Sequence, residues 1–74
     1  FNVAELAAAL APRLAAVGRA TLAEMTAGVS DRLELIVNFL AVLELYKEGR
    51  IDIDQAQRFG VITITWLGEG EGDR

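Results

Sequence analysis

The sequence predicts an α+β domain, helices first and a β-hairpin last, and three observations predict it. Leucines recur at helical spacing through the opening stretch, a second long helical pattern runs from Asp31 to Glu48, and after Gly49 the apolar residues switch to strict alternation.

The first helix is expected from Val3 to Val17, where Leu6, Leu10, Leu14 and Val17 line one face among alanines, the strongest helix formers. Gly18 ends it. Pro12 lies inside this stretch and cannot donate to the carbonyl four residues back, which predicts a kink or break near Ala8 to Ala11. Arg19 and Ala20 leave room only for a short extended link. Thr21 and Glu24 have the spacing at which hydroxyl and carboxylate satisfy each other's orphan amides, so a second, short helix should run from Leu22 to about Ala27, stopped by Gly28. Asp31 followed by Glu34 is a weaker form of the same signal and opens the third helix. Two helices joined by a short turn containing glycine form a helix-turn-helix. Ile51 and Ile53 then alternate with Asp52 and Asp54, and Ile62, Ile64 and Trp66 with Val61, Thr63 and Thr65, giving two strands joined by Gln55 to Gly60. Trp66 is expected to plug one end of the core, with Gln55 and Phe59 folding back, the amide onto backbone groups and the ring onto the core. The order helix, helix-turn-helix, two-stranded hairpin is that of a winged helix, occupying residues 1–67, with the Gly- and acid-rich residues 68–74 as a flexible tail.

Seventy-four residues make one small domain with a thin core. A first residue other than Met suggests a piece of a longer protein, and processing of a short protein would look the same. The absence of cysteine excludes disulfides, Fe–S clusters and thiol chemistry; the absence of histidine removes the ordinary zinc sets; together they predict an intracellular protein without cofactor or metal. No apolar run is long enough to span a membrane, and none resembles a signal peptide. The net charge of −4 has the wrong sign for non-specific nucleic-acid binding. Catalysis finds little support: Ser30, the only serine, has no histidine to activate it, and Asp52 and Asp54 read as the solvated face of an edge strand.

The third helix carries the most information. At helical spacing Leu33, Leu35, Ile36, Val37, Phe39, Leu40, Val42, Leu43 and Tyr46 sweep an arc of roughly 220°, about twice what a surface helix needs. Glu34, Asn38, Glu44 and Glu48 mark the opposite side, with Leu45 among them as the one large apolar exception. Either the first helix and the hairpin bury the whole arc, or part of it, or Leu45, docks a partner. As a DNA-reading element the helix is poor, since it offers Asn38 flanked by glutamates, with Arg32 and Lys47 at opposite ends and Arg50 and Arg58 belonging to the hairpin. A winged-helix transcriptional regulator is the alternative reading.

The run from Asp31 to Gln55, with Phe39-Leu-Ala-Val-Leu-Glu-Leu45, Lys47-Glu-Gly49 and Arg58-Phe-Gly-Val-Ile62, closely resembles the C-terminal winged-helix domain of segregation and condensation protein A, the bacterial kleisin. That resemblance implies a non-catalytic domain that binds the cap side of an SMC (structural maintenance of chromosomes) head ATPase. It would help close the SMC–kleisin ring that condenses and segregates the chromosome, in the cytoplasm and on the nucleoid, with no sequence-specific nucleic-acid contact of its own. The companion segregation and condensation protein B would bind a region absent here. By motif position the resemblance implies docking through Phe39, Leu43 and Leu45 of the third helix and Phe59 and Ile62 of the hairpin, with Val42 and Tyr46 as neighbours.

Overall fold

A computed structural model describes residues 2–55 and 60–68. Helix α1 spans Val3–Val17, strand β1 Arg19–Thr21, helix α2 Leu22–Met25, helix α3 Arg32–Lys47, strand β2 Ile51–Gln55 and strand β3 Ile62–Trp66. This is the expected α+β order, compatible with a winged helix, with one addition. The Arg19–Ala20 link is a third strand, and the sheet order is β1-β3-β2, both pairs antiparallel.

Capping explains where the helices start. Asn2 accepts from the Glu5 amide at 3.0 Å to open α1, and Thr21 and Glu24 form the reciprocal capping box of α2. Asp31 accepts from the amides of Leu33 and Glu34 to open α3. Helix α1 runs through Pro12 as one element, so the break expected near Ala8 to Ala11 is not present. Both Pro12 and Ala8 are exposed, which leaves the carbonyl deprived of its donor open to water.

Helix α3 ends in a Schellman turn. Gly49, at φ 77°, donates to the Tyr46 carbonyl and Arg50 donates to the Leu45 carbonyl. This turn leads directly into β2, whose first residue, Ile51, enters the core. Gly49→Ala forces a Cβ into the left-handed region, and a loss of about 1 kcal/mol is expected in a chemical-denaturation midpoint. An unchanged midpoint would mean that the turn relaxes without cost.

Strand register divides the sheet into two faces. Ile51 opposes Trp66, Ile53 opposes Ile64, and Ala20 opposes Ile64 from the other edge, so these side chains share the inner face. Asp52, Thr65 and Arg19 form one row of the outer face, and Asp54, Thr63 and Thr21 the next. The core is a single cluster in which Ala7, Leu10, Ala11 and Leu14 of α1 meet Met25, Ala41, Val42, Leu45, Ile51 and Ile64. Trp66 packs against it partly buried, with the Arg50 guanidinium 5.5 Å from its ring centroid. The Gln55 amide folds back as expected, donating to the Gly60 carbonyl at 3.2 Å. The expectations for Arg58, for the Phe59 ring and for residues 69–74 lie outside the described residues.

Candidate functional site

Helix α3 is oriented in the reverse of the sense its polar residues suggest. The buried or half-buried positions of the helix and its C-cap are Glu44, Val37, Glu48, Ala41, Glu34, Leu45, Asn38 and Val42, a sector of roughly 160° at about 100° per residue. Leu35, Tyr46, Phe39, Leu43, Ile36, Leu40 and Leu33 occupy the remainder and are 38% to 58% accessible. The core is built from what looked like the polar side.

Two expectations are corrected by this orientation. Leu45 is 0% accessible and belongs to the core, so it is no exposed exception, and Val42 at 2% is core as well. Neither side chain presents surface to a partner. The reason lies in α1, whose contact face is rich in alanine. Ala7 and Ala11 leave little depth, and they are matched by Ala41 with Val37, Val42 and Leu45 around it rather than by the bulkier Phe39 and Tyr46. The first helix and the hairpin therefore do not bury the wide arc; among its members only Val37 and Val42 are buried.

The remaining proposed docking residues separate into two places. Phe39, Leu43 and Tyr46 share the outer face of α3. Ile62 is half-buried and lines a different groove of about 400 Å³, with Thr21, Leu22, Ala23, Thr26 and Val61, to which α3 contributes nothing. Phe59 lies outside the described residues. Motif position gave no weight to Leu33, Leu35, Ile36 and Leu40, which complete the exposed face of α3. The sequence signal that held them was the width of the apolar arc itself.

Charge on α3 is sorted in the same way. Arg32 and Lys47 point within the exposed arc, whereas Glu34, Glu44 and Glu48 sit on the half-buried side. Lys47 approaches Glu44 at 3.9 Å, an exposed and therefore weak pair. Arg50 is drawn inward by Glu48 at 3.3 Å and by the Trp66 ring.

The DNA-reading alternative loses its central residue. Asn38 is 5% accessible, and its amide donates to the Glu34 carbonyl of its own helix at 2.8 Å, so it is buried in the fold and not presented to a groove of a duplex. Asp52 and Asp54 are exposed on the outer sheet face, and the described residues contain no cluster of acids that would hold a metal. No described helix is long and apolar enough to cross a membrane.

No curated protein matches the chain. The family model of segregation and condensation protein ScpA matches residues 2–67, a stretch that takes in every helix and strand described above. With that coverage, the chain belongs to the segregation and condensation protein ScpA family.

Proposed function

We propose that this chain is the C-terminal winged-helix domain of a bacterial kleisin and that it docks on the cap side of an SMC head ATPase, helping to close the SMC–kleisin ring at the nucleoid. Membership in the ScpA family carries a kleisin-like role in chromosome segregation and condensation, and partnership in an SMC complex. The family is one of bridging proteins, and the domain's contribution is binding rather than chemistry.

One observation supports docking above all others: seven large apolar side chains stand exposed on one helix whose opposite side already fills the core. Helices apolar all round are normally enclosed by other elements. A contiguous face of this kind on a small soluble-type fold marks an interaction surface. Phe39 and Tyr46 add the aromatic anchors around which interface energy concentrates. Companion protein B belongs, on this reading, to a part of the kleisin outside the present chain.

Titration calorimetry against the isolated SMC head of the same organism, with duplex DNA as parallel titrant, tests the reading. One-to-one binding to the head with a negative heat-capacity change, and no binding to DNA, is the expected result. Tight, steeply salt-dependent binding to DNA and none to the head would overturn it in favour of a winged-helix regulator.

A further inference from the structure

The exposed face of α3 is an apolar ridge with a cation at each end. Arg32 occupies the first position of the helix and Lys47 the last, and both fall within the exposed arc. Fifteen residue steps of about 1.5 Å separate them by roughly 22 Å along the axis. Between them lie Leu33, Leu35, Ile36, Phe39, Leu40 and Leu43, with Tyr46 beside Lys47. Arg32 makes no ion pair with any described residue, and the Lys47 side chain is 77% accessible despite its approach to Glu44. The two glutamates of the helix, Glu34 and Glu44, and its C-cap Glu48 are turned towards the half-buried side, on a chain whose net charge is −4. The sorting is therefore local to this face and opposite in sign to the molecule.

Resting on the docking reading above, we infer that the SMC head receives α3 in an apolar groove with a carboxylate at each end, roughly 22 Å apart, and that these two charge pairs fix the direction in which the helix lies. An apolar face alone binds without a preferred direction or register. Charges at its two ends supply both, and complementary ones speed encounter as well.

The same charges argue against a second copy of this chain as the occupant. A two-fold interface uses the same patch on both partners. If the two α3 helices pair antiparallel, Arg32 of each copy meets Lys47 of the other. If they pair parallel, Arg32 meets Arg32 and Lys47 meets Lys47. Each arrangement sets cation against cation at both ends. Phosphate-rich partners are not matched either, because two cations around seven apolar residues give a nucleic acid little to neutralise.

The test compares the wild-type chain with Arg32→Gln and Lys47→Gln in titrations against the SMC head at low and high salt. Both variants keep the apolar ridge, and circular dichroism checks that both keep the fold. Each is expected to weaken head binding several-fold to about tenfold at low salt and to flatten its salt dependence, with the double variant weaker still. Sedimentation of the wild-type chain alone is expected to show a monomer, and vesicles of anionic phospholipid are expected to leave it unbound. Wild-type affinity and salt dependence in both variants would overturn the end-charge inference while leaving the docking reading intact. A salt-sensitive self-dimer or binding to the vesicles, relieved by the same substitutions, would assign the face to that other occupant and overturn the inference. Failure of the wild-type chain to bind the head at all would overturn the docking reading and this inference with it.

Discussion

Leu45→Arg is expected to unfold the domain. Leu45 is wholly inaccessible and lies in the cluster formed by Leu10, Leu14, Ile51 and Ile64, the other largest fully buried side chains. Its own carbonyl accepts the Arg50 amide in the turn that launches β2, so the residue joins the helix layer to the sheet. An unpaired guanidinium there has no carboxylate to meet among its core neighbours, and leaving a buried charge uncompensated costs about 3–5 kcal/mol or more. Domain stabilities lie in the range of about 5–15 kcal/mol, and so short a chain belongs at the bottom of it. The graded version is Leu45→Ala, with an expected loss of about 2–5 kcal/mol. At roughly 4–8 °C per kcal/mol for a domain of this size, its melting temperature should fall by about 8 °C or more. Thermal melts followed by circular dichroism check both. A cooperative Leu45→Arg transition within a few degrees of wild type would show that the core tolerates the charge and that the packing described here is wrong. A binding loss in Leu45→Arg therefore reports on folding and carries no information about contact with the SMC head.

The architecture was legible in the sequence because its signals are local. Thr21 and Asp31 cap the helices they precede, and Gly18 and Gly49 close the ones they follow. Alternation of isoleucine with Asp52, Asp54, Thr63 and Thr65 set the strand faces before any pairing was known. The third strand was hidden by its length. Arg19–Thr21 is too short to show a period, and its extended form is fixed by pairing with Thr63, Ile64 and Thr65, far away in sequence.

The docking face was legible as a quantity and not as a direction. Leu35, Phe39 and Leu43 form one ladder of four-residue steps on α3, and Val37, Ala41 and Leu45 form another. Either could have faced the core. Weighing side-chain size favours the first ladder, and the fold buries the second, because what α1 offers is a shallow, alanine-lined surface that the smaller ladder fits. Glu34, Asn38 and Glu48 misled for a related reason. Glu34 and Glu48 sit towards the two ends of the helix, where a half-buried carboxylate keeps access to water, and Asn38 is buried but satisfies its amide on its own helix. The pattern of one helix does not contain the shape of its neighbour.

Leu43→Glu should separate folding from docking. Leu43 stands at the middle of the exposed arc of α3, 41% accessible and outside the core cluster, so little buried area is lost when it is replaced. Glutamate is a good helix former, and its carboxylate would stand four residues before Lys47, the favourable orientation for an intrahelical pair. Stability is therefore expected to stay within about 0.5 kcal/mol of wild type, as for other surface changes. Binding should respond very differently. The substitution takes a leucine from the centre of the apolar ridge, sets a charge that must be desolvated in its place, and opposes the carboxylates expected on the partner. Interface residues so placed are worth about 2 kcal/mol or more, so affinity for the SMC head is expected to fall by at least about 30-fold. Phe39→Ala, one helical turn away, should behave in the same way by removing an aromatic anchor without adding charge. Paired measurements of the melting transition and of calorimetric affinity decide the matter. A folded Leu43→Glu that binds as tightly as wild type would move docking off α3 and towards the groove beside Ile62, the one proposed contact that the fold sets apart from this face.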